Sequence, residues 1–265
     1  MQYKDIIVEK KDYIATVTIN RPDKMNAMTL ETREEVVKAL TDVGQDNDMR
    51  VLVITGAGDR AFCAGVDVGV MSSALAGEQL EVTRRDITRR MGAQVALFRE
   101  IRVPTIAAIN GVTAGMGLSF VCACDIRIAS ENARFTAAWI KRGLVPDGAS
   151  TFLVPQIVGL EKALELFYTG DIIDAQEALR IGLVGKMVPA VDLMDTAMEL
   201  ARKIADNPPI PVELAKYGVY SGLGSDIRRA LDYENYAVKT CTATEDYKEG
   251  VTAFMEKRKP QFKGR

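Results

Sequence analysis

Val51-Leu-Val-Ile-Thr55, then Gly56-Ala-Gly-Asp-Arg-Ala61, then Phe62-Cys-Ala-Gly-Val-Asp67, is the stretch on which the fold turns. Its first five residues are apolar or β-branched and read as a short buried strand. Gly56, Gly58 and Ala61 satisfy the letters of a GxGxxA dinucleotide fingerprint. That fingerprint needs a helix to open at this point, so that its N-terminus can hold a pyrophosphate. Gly65 and the β-branched Val66 are poor residues for a first helical turn. The segment therefore reads as a strand running into a loop, and an NAD-dependent oxidoreductase remains only as an alternative.

Upstream, Ile6 to Val8 and Ile14 to Ile19 are β-branched runs separated by Glu9-Lys-Lys-Asp12 and predict a hairpin. Thr29 can cap a helix to about Gly44 with Val36, Val37, Leu40 and Val43 on one face. Downstream, a polar helical stretch is expected over roughly Glu78 to Arg99. Thr105 to Ile109 predicts a second buried strand, Asn110-Gly111 a turn, Gly117 to Cys124 a short buried helix and Ile126 to Ala129 a further strand. Strands and helices alternate to about Pro189, which favours parallel βαβ units. Leu193, Ala197, Leu200, Ala201 and Ile204 then form one helical stripe, and Pro208-Pro209 interrupts it. Helices are expected over Val212 to Tyr220, Ile227 to Thr240 and Glu245 to Lys257. The expected organisation is one α/β core, residues 1–199, with a helical C-terminal region, residues 200–265.

Composition narrows the chemistry. The chain of 265 residues has 48% hydrophobic and 26% charged residues and a formal net charge of -2, as an ordinary globular protein does. Four cysteines (Cys63, Cys122, Cys124, Cys241) show no CxxC pair for zinc and are too scattered for a disulfide framework, so a reduced, cytoplasmic chain with no metal is expected. The charged start Met1 to Lys11 does not resemble a signal peptide. Val103 to Cys124 carries no charge, yet Pro104, Asn110, Gly111, Gly115 and Gly117 break it up, so no membrane span is expected. The slight acidity speaks against nucleic acid. There is no histidine. That removes Ser-His-Asp and Cys-His catalysis, and acid/base work near neutral pH must fall to a carboxylate, Lys, Tyr, Cys or water.

The segment Ala61 to Asp67, with Met71 beyond it, resembles a signature of the crotonase (enoyl-CoA hydratase/isomerase) superfamily. So does Ala107-Ala-Ile-Asn-Gly-Val-Thr-Ala-Gly-Met-Gly117. Asn20-Arg-Pro-Asp-Lys-Met-Asn26, Cys124-Asp-Ile-Arg127, Glu177-Ala-Leu-Arg-Ile-Gly-Leu-Val184 and Ala253-Phe-Met-Glu-Lys-Arg-Lys-Pro-Gln-Phe262 match in the same order. The resemblance spans nearly the whole chain. It implies a spiral of ββα turns followed by helices that mediate assembly as a trimer or hexamer. It also implies a coenzyme A thioester as substrate and no cofactor.

Chemistry of this type passes through a thioester enolate, whose oxygen needs two rigidly held backbone N–H donors. The resemblance places these at Ala64 and Met116. Beside them, Gly65, Gly115 and Gly117 allow close approach, although glycines there also suit close packing alone. A helix opening near Gly117 would favour the same charge. The family's hydratases carry two glutamates that activate water, and the matching positions here hold Ser119 and Trp139. The position where the superfamily's isomerases carry a proton-shuttling acid holds Asp147, within Gly143-Leu-Val-Pro-Asp-Gly-Ala-Ser150. Burial would suit Asp147 to proton transfer; as an alternative, Asp147 caps a helix over Ala149 to Val158. Trp139 either walls the acyl pocket or packs in the core. The Trp139/Asp147 spacing also resembles 4-chlorobenzoyl-CoA dehalogenase, which however employs a histidine.

For coenzyme A, the resemblance implies Lys24, Met25 and Ala27 near the adenine, Asp67 and Val68 in the turn beneath it, and Phe254 and Lys257 from the basic tail. Met71 joins Trp139 and Ser119 as acyl-pocket candidates. The expected reaction is isomerase-like, with Asp147 moving a proton while Ala64 and Met116 hold the enolate. The alternatives are a hydratase or C–C lyase that uses Asp147 with water, and a non-catalytic acyl-CoA binder.

Overall fold

The computed structural model describes residues 3–75 and 92–265. Strands β1 (Ile6–Lys11) and β2 (Ile14–Ile19) form the expected hairpin, with Ile6 opposite Ile19 and Lys11 opposite Ile14. The turn is tighter than the sequence suggested. Glu9-Lys-Lys11 stays in the strand, on a sheet edge where charge is tolerated. Only Asp12 and Tyr13 turn, both with positive φ (51° and 66°), the twist a two-residue hairpin loop requires.

Helix α1 (Leu30–Gln45) begins where Thr29 places it. The Thr29 side chain accepts from Thr32 N–H and the Thr32 side chain from Thr29 N–H, a reciprocal cap. Val36, Leu40 and Val43 face inward as expected, with Ala39, while Val37 is only half-buried. Strand β3 (Val51–Gly56) then lies parallel to β2 and leads into β4 (Ala61–Cys63). No helix opens at Gly56-Ala-Gly58, so the dinucleotide reading has no structural basis. Helix α2 (Val68–Leu75) follows, and α3 (Ala93–Glu100) is the described part of the helix expected over Glu78 to Arg99; residues 78–91 of that expectation lie outside the described residues.

The strand pair then repeats. Strand β5 (Thr105–Ile109) steps into β6 (Val112–Ala114) and helix α4 (Met116–Ala123), and β7 (Ile126–Ser130) steps into β8 (Arg134–Thr136). Helices α5 (Ser150–Val158) and α6 (Leu160–Thr169), strand β9 (Ile172–Asp174), helix α7 (Ala175–Arg180) and strand β10 (Lys186–Val188) complete the core. The result is two sheets, ordered β1-β2-β3-β5-β7-β10 and β4-β6-β8-β9, wound as the ββα spiral that the resemblance implied. In each, one edge strand is antiparallel to parallel neighbours. Asn110 ties the spiral at its corner: its Nδ2 donates to the carbonyls of Gly56 (2.9 Å), Gly58 (2.8 Å) and Ala61 (3.1 Å).

The uniformly apolar strands are explained by cover on both faces. Leu52, Ile54, Ala107 and Ile109 enter the main core, while Val51, Val53, Ile106 and Ala108 meet Leu193, Ala197, Ala201 and Ala205 of α8 (Leu193–Ala205). This alternation is the period of a strand. Because α8 packs on the first sheet, a division at residues 199/200 falls inside a core helix, and the chain leaves the core only after Ala205. Helices α9 (Pro209–Gly222), α10 (Ile227–Thr242) and α11 (Glu245–Glu256) follow. The uncharged stretch from Val103 is β5, β6 and the fully buried α4. Among the described residues no helix is long and apolar enough to cross a membrane.

Helix α9 returns to the core through a polar cluster. Lys216 Nζ pairs with Asp125 Oδ2 (3.0 Å) and donates to the carbonyls of Phe98 and Val103 (2.9 Å each). Tyr220 OH donates to Asp125 Oδ1 (2.6 Å), and Thr105 N–H to Asp125 Oδ2 (2.7 Å). Burial pushes the Lys216 ammonium down and the Tyr220 phenol up from their ordinary pKa values.

Candidate active site

Three loops meet where β4 and β6 end. Residues 25–28 lie against residues 64–67: Ala64 N–H donates to Met25 O (3.1 Å), Met28 N–H to Gly65 O (2.7 Å) and Asp67 N–H to Met28 O (2.9 Å). The third loop carries Gly115 and Met116. Gly65 has φ 98°, and a side chain there would sit 3.0 Å from Ala114 O and 3.8 Å from Met116 N. Gly117 is required by proximity, since a Cβ would fall 2.3 Å from Cys63 O. The glycines thus bring the two expected backbone loops within contact of each other.

This geometry changes one assignment. The Ala64 N–H is occupied by Met25 O and is not free to bind a ligand oxygen. Two residues on, the Val66 N–H has no acceptor among the described residues. Met116 opens α4, so its N–H has no intrahelical partner either, and among the described residues it has no other. Val66 and Met116, not Ala64 and Met116, are therefore the pair of open donors. Sequence reasoning missed Val66 because strand pairing of Met28 with Val66 decides which N–H is used, and that pairing is long-range.

Asp147 stands beside them. Its Oδ1 accepts from Trp139 Nε1 at 3.0 Å, and the indole lies about 4 Å from where a Gly115 side chain would begin. Asp147 does not cap α5. The residue before that helix is Ala149, in a left-handed conformation (φ 59°) without a side-chain cap bond. Asp147 contributes only its carbonyl, which accepts from Ser150 N–H at 3.0 Å. The carboxylate is half-buried rather than buried, with Leu144 and Val145 exposed nearby. Trp139 is buried, so it packs in the core and also grips the carboxylate.

Ser119 is fully buried and its hydroxyl is used locally: it pairs with Ser150 Oγ (2.8 Å) and reaches Asp147 O (3.2 Å). A Cβ on Gly148 would fall 2.7 Å from Ser119 Oγ, so the two backbones leave no room between them. Restoring a glutamate at this position is accordingly expected to displace the Asp147 loop. Ser119→Glu should lower the thermal unfolding midpoint and gain no hydration activity, whereas Ser119→Ala should keep most turnover. A Glu variant as stable as the parent would show that the loop yields.

The cysteines are poor alternatives as acids or bases. Burial pushes the Cys63 thiol to about 12 and the Cys122 thiol to about 11, so both stay protonated at neutral pH. Among the described residues there is no cluster of His, Cys, Asp or Glu suited to a metal.

Of the coenzyme A candidates, Lys24, Met25, Ala27, Asp67 and Val68 share one corner. Arg21, a residue without an assigned role in the sequence reading, organises it: its guanidinium donates to Ala27 O and to Asp67 Oδ2 (2.9 Å). Asp67 also accepts from Gly69 N–H (2.8 Å). That bond, with Arg21 and Lys24, holds the Asp67 carboxyl below its ordinary range. Val68 is exposed. Phe254 lies elsewhere, lining an apolar hollow with Pro208, Pro211, Tyr247, Val251 and Phe262, and Lys257 ends the same helix. Within one chain the structure does not bring them to the corner. Met71 lies in α2, but its side chain lies outside the described residues.

Residues 9–265 match the family model for enoyl-CoA hydratase/isomerase. The chain belongs to that family. It is 38% identical over 268 residues to a short-chain-enoyl-CoA hydratase of Clostridium acetobutylicum, covering both chains fully. It is 34% identical to the 1,2-epoxyphenylacetyl-CoA isomerase of Escherichia coli, over 95% of each chain. The crystal structure of an enoyl-CoA hydratase from Bacillus anthracis superimposes with a TM-score of 0.91 at 36% identity, over 99% of this chain and 100% of that one. The fold is the α/β crotonase fold, and the open Val66 and Met116 donors lie on the two loops that carry the family resemblance.

Proposed function

We propose that this enzyme of the enoyl-CoA hydratase/isomerase family transfers a proton between carbons of an acyl-CoA thioester through an enolate. The observation that carries this reading is the Trp139–Asp147 pair, a carboxylate held beside the open donors at Val66 and Met116. The thioester oxygen would accept from both N–H groups, and the α4 N-terminus would favour its developing charge. Asp147 would then remove a proton from one carbon and return it to another. Ser119 and Trp139 stand where hydratases of the family carry glutamates, so two-carboxylate activation of water lacks its groups here. Lys24, Met25, Ala27, Asp67 and Val68 would hold the nucleotide, and Phe254 and Lys257 would complete its site from a neighbouring subunit of a trimer or hexamer.

A second reading, hydration by Asp147 and one water, is favoured by the similarity to the enoyl-CoA hydratases of C. acetobutylicum and B. anthracis. One experiment separates the two. A panel of linear 3-enoyl, 2-enoyl and cyclic dienoyl CoA thioesters is incubated in heavy water and followed by mass spectrometry. Isomerisation should give a product of unchanged composition apart from deuterium exchange. Addition of a whole water would establish the hydratase reading, and calorimetry showing no coenzyme A binding at millimolar ligand would overturn both.

A further inference from the structure

Arg33 breaks the pattern of the helix that carries it. It lies three residues before Val36, seven before Leu40 and ten before Val43, on the inward stripe of α1. Its Nε is buried and has no hydrogen-bond partner among the described residues. Arg99 is the other arginine with a buried, unpartnered Nε, but its guanidinium lies over the Tyr220 ring at 4.6 Å and the Phe152 ring at 5.9 Å, which accounts for it. Arg33 has no such ring among the described residues.

The position of Arg33 is fixed by the backbone around it. Five residues earlier, Met28 is bonded to Gly65 and Asp67, so the first turns of α1 rise from the loop that carries the open Val66 donor. The negative charge that acts on the guanidinium is that of Asp147; the Cys63 thiol at the end of β4 stays protonated and supplies none. Asp147 spends one oxygen on Trp139 and makes no hydrogen bond to Arg33, while burial depresses the Arg33 pKa below its ordinary value. A half-buried guanidinium beside a substrate site, with no hydrogen bond or ion pair among the described residues, has its outer N–H groups free for an acceptor.

We infer that Arg33 is a specificity-determining residue that binds a carboxylate on the acyl portion, so that the preferred substrates are CoA thioesters of dicarboxylic acids. The inference rests on the acyl-CoA reading above. With the thioester oxygen at Val66 and Met116 and the reacting carbons at Asp147, the far end of a short acyl chain comes within reach of α1. A planar guanidinium then meets a carboxylate through charge-assisted bonds, which a methyl group in the same place cannot form.

The test compares succinyl-, glutaryl- and adipoyl-CoA with butyryl-, pentanoyl- and hexanoyl-CoA by calorimetry, with free coenzyme A as reference. At one chain length at least, the intact protein should bind the dicarboxylic thioester about tenfold more tightly than its methyl-ended counterpart, the scale of one charged hydrogen bond. Arg33→Met should abolish or invert that ratio and leave affinity for free coenzyme A unchanged. Arg33→Lys should keep part of it, which guards against a folding defect in the Met variant. A ratio at or below one at every length in the intact protein overturns the inference, as does a ratio unaffected by Arg33→Met. Failure of free coenzyme A itself to bind would instead strike the acyl-CoA reading.

Discussion

Asp147→Asn is expected to lower kcat by about 10²–10⁴-fold, the usual contribution of a positioned acid/base group. Affinity for a non-reacting acyl-CoA should change little. The reasoning is local. Asn keeps the shape of the side chain and can still accept from Trp139 Nε1 through its carbonyl oxygen, replacing the 3.0 Å bond of the carboxylate. The Val66 and Met116 donors do not depend on residue 147, so the thioester oxygen keeps its partners. What Asn cannot do is take a proton from carbon and give it back. Stability should also be unchanged, because the carboxylate does not cap α5. The measurement is single-turnover kinetics with the substrate found in the thioester panel, alongside calorimetry with acetyl-CoA. Near-normal turnover by the Asn variant would remove Asp147 from the chemistry. Trp139→Phe gives the companion result: it deletes the N–H that orients the carboxylate, so kcat should fall, but less than for Asp147→Asn.

How much of this was readable from the chain follows from the range of the interactions involved. Thr29 marks its helix because a cap is a matter of four consecutive residues. The strands Val51–Gly56 and Thr105–Ile109 stand out because burial on both faces makes them apolar throughout. The three-residue strands β4, β6 and β8 do not stand out, since pairing with one another defines them and three residues carry no period. The site divides in the same way. Asp147, Met116, Trp139 and Ser119 are placed by the family resemblance of their motifs. The resemblance put the other backbone donor at Ala64 rather than Val66, and only the pairing of residues 25–28 with residues 64–67 shows that the Ala64 N–H is used. Arg21 and Arg33 were missed for opposite reasons. Arg21 works through tertiary contacts to Ala27 and Asp67 that no spacing announces. Arg33 does leave a signal, a lone cation in register with Val36, Leu40 and Val43, but one charge on an apolar stripe does not by itself mark a site.

The largest effect on stability is expected from Asp125. Its side chain is 17% exposed and that of Lys216 7%, so the pair lies in the protein rather than in water. Each Asp125 oxygen is occupied: Oδ1 by Tyr220 OH, Oδ2 by Lys216 Nζ and Thr105 N–H. Asp125→Ala would leave the ammonium with two carbonyl acceptors but no counter-charge. It would also strand a fully buried backbone N–H at Thr105. Removing one member of a buried pair typically costs about 3–5 kcal/mol, and this variant should fall in that range by urea unfolding at fixed protein concentration. Lys216→Met should cost less. Asp125 would keep two donors, and the thioether side chain fills much of the space the lysine stem occupied. The double variant should lose clearly less than the sum of the two, because the second change removes a partner already stranded by the first. Additive losses would mean that Asp125 and Lys216 act independently, with α9 held by its apolar contacts alone. The surface pair Lys203–Glu199, 2.6 Å apart but exposed on both sides, provides the control. Glu199→Ala should leave the urea midpoint unmoved, since water already competes for that lysine.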